Sequence, residues 1–192
     1  MLHYDEAYHA MDALNVIRDP RLTPFFPGNF GREAGFVYWA LPFVAVQPGD
    51  PLAMRFAALF LSVLTLAAAA RLAREVVGRW GAVWTVAALS ALYWHVHVSQ
   101  LALRANLYVT LGPVAAAWLL RAYRTHRPAH WVAVGVATGL LGYTYFTSLV
   151  WMGDLGLTLL VWLDFDATRR RGALIAGVSA LQRAPTQPNI AS

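Results

Sequence analysis

Residues 55–71 read Arg-Phe-Ala-Ala-Leu-Phe-Leu-Ser-Val-Leu-Thr-Leu-Ala-Ala-Ala-Ala-Arg. Fifteen residues without a charge lie between two arginines, built from leucine, alanine and phenylalanine, which favour helix or tolerate it. With the lead-in from Pro51, the run predicts a helix at ease in hydrocarbon. The pattern repeats along the chain. A second apolar run covers 80–95 and a third 105–120. The stretch 131–163 carries one charge, Asp154. As one helix it would be about 50 Å long against a hydrocarbon core of about 30 Å. It therefore divides into two shorter helices, turning near 142–148. Another apolar run begins at 172–181.

Composition agrees. The 192 residues are 58% hydrophobic and 13% charged, with a mean hydropathy of +0.47. Soluble domains hold about 45–50% apolar and about 25% charged residues. All 15 basic residues are arginine, and they cluster at the ends of apolar runs, as topology determinants do. The net charge of +5 therefore points to membrane topology rather than to nucleic acid. No cysteine is present, which excludes a disulfide framework and thiolate metal sites. The expected fold is all-α: a polytopic integral membrane helical bundle, with an outer-face juxtamembrane helical loop at the N-terminus. Residues 1–50 form that loop and its amphipathic helices. Residues 51–181 hold about five spans and an incomplete one, and 182–192 are a polar tail. The start without a preceding span and the abrupt tail lead to the expectation of a truncated chain.

The polar part lies at the front. Within 1–55 fall Asp5, Glu6, Asp12, Asp19, Glu33 and Asp50. As a helix, the opening stretch would align Asp5, His9 and Asp12 on one face and Ala7, Met11, Leu14 and Ile17 on another. That suits a helix lying at a membrane edge, acidic face to water. An acidic, solvated helix start accounts for the same residues. Pro20, Pro24, Pro27 and Gly28 end the helix in a loop, and 34–47 forms a short interfacial or half-inserted helix. Alternating spans put Arg71, Arg74, Arg79, Arg121, Arg124, Arg127 and Arg169 to Arg171 on one side. The smaller set, Arg18, Arg21, Arg32, Arg55 and Arg104, falls on the other. The richer side is cytoplasmic by the positive-inside rule. Asp5, Glu33, His95, His97 and Arg104 then share the outer face.

A carboxylate beside outward-facing arginines suits sugar transfer from a lipid phosphate. Phosphate is a good leaving group and needs positive charge rather than a proton donor. The acceptor hydroxyl needs a base. Asp5 is the candidate base, with Glu6 as its alternative or support. Arg32, Glu33, His95, His97 and Arg104 are candidates for donor phosphate and substrate. For each there is a plainer reading: a carboxylate on a helix dipole for Glu33, an interfacial spacer for His95 and His97, snorkelling at a helix end for Arg104. No metal ligand is assigned, although His95 and His97 leave a divalent metal open as cofactor.

Four stretches carry a resemblance. They are Asp5-Glu6-Ala-Tyr-His-Ala-Met-Asp12, Phe25-Phe-Pro-Gly-Asn-Phe-Gly-Arg-Glu33, Trp94-His-Val-His-Val-Ser99 with Leu103-Arg-Ala-Asn106, and Gly142-Tyr-Thr-Tyr145. In this order and spacing the chain resembles bacterial C-superfamily glycosyltransferases that use polyprenyl-phosphate sugars, the protein O-mannosyltransferase-like (glycosyltransferase 39) and RgtA/B/C/D-like groups. The likeness spans about 3–165. It implies a multi-pass enzyme of the bacterial inner membrane, active on its extracytoplasmic face, with a lipid-linked sugar donor. The acceptor, whether protein, lipid or polysaccharide, is left open. It implies that Asp5 is the catalytic base and that the stretch 94–105 lies near the donor phosphate. Ala34 stands where the family usually has proline after Gly-Arg-Glu. A transporter or scaffold without covalent chemistry, or an inactive fragment of such an enzyme, would share the composition. A transporter more often binds at mid-membrane, in broken helices.

Overall fold

The computed structural model describes residues 4–28 and 31–163. His3, Asn29, Arg169 to Arg171, the apolar run 172–181 and the tail 182–192 lie outside the described residues. The chain is all-α in class, with one minimal hairpin. Helix α1 (Tyr4–Arg18) is followed by strands β1 (Phe25–Phe26) and β2 (Arg32–Glu33), then α2 (Gly35–Val46), α3 (Pro51–Ala91), α4 (Tyr93–Ser99), α5 (Ala105–Thr125), α6 (Pro128–Leu141) and α7 (Ser148–Leu163).

Local chemistry sets most of these limits. Asp19 and Pro20 follow the last turn of α1. Asp50 caps α3 by accepting the Leu52 N–H at 2.8 Å, with Pro51 in the first turn, where its missing N–H costs nothing. Pro128 opens α6 in the same way. Gly78, at φ 83° and ψ −170°, interrupts α3. Side chains rarely adopt that conformation, so α3 is two helices in sequence, 51–77 and 79–91. The second apolar run also stops sooner than expected. Leu92 is extended, and His95 falls on the separate short helix α4. The turn expected at 142–148 does divide α6 from α7.

Two apolar cores hold the elements together. In the first, Ala13 of α1, Phe36, Val37, Ala40 and Val44 of α2, and Ala53, Met54, Ala57, Ala58 and Leu61 of α3 pack with Ala102. This core runs without a break across residues 50 and 51. In the second, α5 and α6 enclose Ala115, Leu119, Ala122, Trp131, Val134 and Leu141, with Leu155 of α7. Between the cores the first part of α3 runs parallel to α5, and the buried hydroxyls of Thr65 and Thr110 meet at 2.6 Å. Small and hydroxyl-bearing residues allow this close approach.

The α3–α5 pair has two chemically different ends. At one, Arg55 donates to the Gln100 carbonyl. At the other, Glu75 is held by Arg71 at 2.6 Å and Arg124 at 3.1 Å. The 19 positions from Arg55 to Arg74 correspond to about 28 Å of helix. Among the described residues α3 is the helix long and apolar enough to cross a membrane; α2, α6 and α7 are apolar but shorter.

The faces of α1 differ from expectation. Glu6, His9 and Ala13 are buried, whereas Met11 and Ile17 are exposed. Neither an acidic face turned to water nor an apolar face of Met11 and Ile17 lying on a surface describes the helix. The reason is tertiary: α1 packs on α2 and α3 through Ala13, and its carboxylates Glu6 and Asp12 find the guanidiniums of Arg55 and Arg32.

Candidate functional site

Asp5 and His9 of α1, Arg32 of β2, Arg104 and Ala105 at the start of α5, Leu103, and Tyr145 between α6 and α7 line a cavity of about 170 Å³. The β1–β2 hairpin delivers the first arginine. Phe26 pairs with Arg32 and Phe25 with Glu33. Gly31 precedes β2 at φ 86°, and a Cβ there would sit 2.3 Å from the Phe25 ring, so the turn needs glycine.

Arg32 is only 2% exposed. One terminal nitrogen meets the Asp12 carboxylate at 2.6 Å, and the guanidinium lies 5.0 Å from the centre of the Tyr8 ring. Its Nε and Nη1 are buried without a hydrogen-bond partner. Buried charged donors left unmatched are costly, and an oxyanion in the cavity would supply what they lack. Arg104 donates to Glu33 at 2.9 Å and to the Gly31 carbonyl at 3.3 Å, with the Tyr145 ring 5.1 Å beneath it. Glu33 thus positions an arginine and is not itself part of the cavity wall.

Burial and the neighbouring Arg32 and Arg104 hold the His9 imidazole down at about 4, opposed by Asp5. It is neutral near pH 7. Burial pushes the Asp12 carboxyl up, and Arg32 recovers only part of that shift.

Glu6, the neighbour of Asp5, faces elsewhere. It is fully buried, accepting the Ala102 N–H at 2.7 Å and pairing with Arg55 at 3.3 Å. It ties α1 to α3 and to the α4–α5 link. His95 and His97 do not line the cavity. His97 stacks on Tyr93 at 5.6 Å and is exposed. Asp154 is exposed on α7. Among the described residues no group of three or more His, Asp or Glu is placed to hold a metal ion.

The fold therefore brings together Asp5, Arg32 and Arg104 of the expected set, with Glu33 behind them. It adds His9, Asp12, Tyr8 and Tyr145. The positions of His9 and Asp12, one and two turns after Asp5, were a usable signal. Tyr145 closes the last of the four stretches singled out in the sequence, Gly142 to Tyr145.

A second hollow, about 740 Å³ and almost wholly apolar, lies between α2, α3, α5 and α6. Tyr38, Trp39, Leu61, Leu107, Leu111 and Tyr143 are among its walls. It neighbours the polar cavity along three elements: Leu107 follows Ala105 on α5, Tyr143 precedes Tyr145, and Gly35 follows Arg32. The arrangement offers a carboxylate and two guanidiniums in one cavity, with an apolar hollow nearby. Comparison of the chain with protein-family models, with curated proteins and with solved structures gives no match.

Proposed function

We propose that the chain is part of a polytopic membrane glycosyltransferase that moves a sugar from a polyprenyl-phosphate donor to an acceptor hydroxyl. The observation that carries this reading is the meeting of Asp5, Arg32 and Arg104 in one cavity near a larger apolar hollow. A lipid phosphate has the matching form: an anionic head on a hydrocarbon tail. In the reaction, Asp5 takes the proton of the acceptor hydroxyl. The oxygen attacks the anomeric carbon, and the bond from that carbon to the phosphate oxygen breaks. Its electron pair leaves with the phosphate, where Arg104 and Arg32 stabilise the charge. One carboxylate suffices, because the departing phosphate needs no proton.

Membrane placement is supported separately. About 28 Å of helix separates the Arg55 end of α3 from its Arg74 end, close to the hydrocarbon thickness of about 30 Å. Leu59, Phe60, Val63 and Leu64 are exposed in between, as are Val132, Val136 and Leu140 on α6 and Leu149, Val150, Leu157 and Leu160 on α7. Such a belt suits lipid as its solvent. The arginine-rich end then lies in the cytoplasm and the cavity opens to the outside of the bacterial inner membrane.

The test is release of polyprenyl phosphate from a panel of polyprenyl-phosphate sugars, using membranes that contain the chain. The Asp5→Asn variant is expected to abolish release. No release from any donor, or equal release by the variant, overturns the reading.

A further inference from the structure

His9 lines the same cavity as the two arginines, and the chemistry described above gives it no task. It is 1% exposed, and its Nδ1 is buried without a hydrogen-bond partner. Unpaired polar atoms are uncommon at such burial. Among the described residues five side chains carry them, and two of the five, His9 and Arg32, line one small hollow. We propose that His9 is a third anion-contacting group of this cavity, taking up a proton as the donor phosphate enters between Arg32 and Arg104. The proposal rests on the lipid-phosphate reading of the site and extends it to the protonation state in which the donor binds.

The argument is electrostatic. The groups around His9 are Asp5 and Asp12 on α1, Arg32 on β2, the Phe36 ring of α2 at 5.4 Å, Arg104 at the start of α5, and Tyr145 beyond α6. Glu33 stands behind Arg104 and Asp12 is bound to Arg32. Burial opposes a charge on His9, and the two guanidiniums oppose a third positive charge beside them. A phosphodiester between the guanidiniums offsets their field and brings a negative charge into a poorly solvated space. An imidazolium becomes favourable there, and Nδ1 gains an acceptor. As the sugar leaves, the phosphate becomes a monoester with one more negative charge, which holds the proton on His9 more firmly.

The experiment uses the detergent-solubilised chain and citronellyl methyl phosphate, a short-chain phosphodiester with no titrating proton near neutral pH. Binding is followed by calorimetry in two buffers of different ionisation enthalpy. The wild-type chain is expected to take up a fraction of a proton per ligand and to bind roughly tenfold tighter at about pH 5.5 than at about pH 7.5, as a bound anion that returns His9 from about 4 to its ordinary value of about 6.5 requires. His9→Gln should bind with no uptake and a flat pH profile, whereas Asp5→Asn should keep the uptake. Wild-type binding without proton uptake, or uptake that persists in His9→Gln, overturns the role of His9 and leaves the phosphate site standing. Should His9→Gln not fold, the wild-type uptake and its survival in Asp5→Asn still decide. No binding by the wild type, or undiminished binding by Arg32→Gln with Arg104→Gln, overturns the phosphate reading together with this one.

Discussion

Asp5 and Glu6 are adjacent in the chain, and the structure separates their tasks. Glu6 is fully buried. Its Oε1 accepts the Ala102 N–H at 2.7 Å and its Oε2 meets Arg55 at 3.3 Å. Glu6→Ala leaves a buried N–H unmatched, which costs about 1–3 kcal/mol. Arg55 is one-third exposed, so losing that pair adds no more than about 1 kcal/mol after solvent screening. The total is about 1–4 kcal/mol. For a chain of this size each kcal/mol moves the melting temperature by about 2–4 °C, giving a fall of roughly 2–16 °C. Glu6→Gln keeps a carbonyl oxygen for Ala102 and loses only charge, so it should fall by about a quarter to a half as much. The eight tryptophans report unfolding in detergent by their fluorescence. Both Glu6 variants should retain donor cleavage at temperatures where they are folded. Asp5→Asn should melt like wild type and lose it. Glu6→Ala melting within about 1 °C of wild type would refute the reasoning on stability. A well-folded Glu6→Gln without activity would refute the division of tasks.

Further outcomes follow from the same contacts. Removing the Arg104 guanidinium with Arg104→Ala should lower donor cleavage by roughly 100-fold or more, the scale of a lost oxyanion donor, and should also release Glu33; Arg104→Lys, which keeps charge but not the planar fork, should recover only part in a steady-state assay. His9 is held at about 4 in the folded chain and titrates near 6.5 when unfolded. The unfolded state therefore binds the extra proton first as pH falls, and stability drops between about pH 6.5 and pH 4, by up to about 3 kcal/mol. Asp12, whose carboxyl is raised, acts in the opposite sense, so the quantity to measure is the wild-type-minus-His9→Gln difference in denaturant midpoints across that window; a difference that does not change with pH sinks the argument. Gly35 donates its N–H to the Tyr143 carbonyl at 2.8 Å, and a Cβ there would lie 2.4 Å from that oxygen. Gly35→Ala should therefore cost about 1–3 kcal/mol of overpacking, read as a lower melting temperature. His97→Ala removes an exposed ring outside the cavity and should leave donor cleavage within about twofold and stability within about 0.5 kcal/mol.

The sequence by itself determined the helical class and much of the segmentation. Apolar runs bounded by arginines, Asp50-Pro51 before one helix and Pro128 at the head of another are local signals, and local backbone chemistry answers to them. It also supplied the members of the cavity that stand beside a loop or helix end, Asp5, Arg32 and Arg104, because charged residues in a chain with so few are conspicuous. Tertiary structure decided the rest. The sequence made Asp5 and Glu6 near equivalents; only the approach of Ala102 and Arg55, distant in the chain, drew Glu6 into the core and left Asp5 on the cavity wall. Helical periodicity put Met11 and Ile17 on an apolar face suited to a membrane edge, but the close packing of α1 on α2 and α3 through Ala13 turned a different face to the core. His97, a candidate for the phosphate, stands on the short helix α4, which an extended Leu92 sets apart from α3, and does not line the cavity. The unpaired nitrogens of His9 and Arg32 were invisible in the chain, because a missing partner is a property of everything packed around an atom, and no local pattern encodes it.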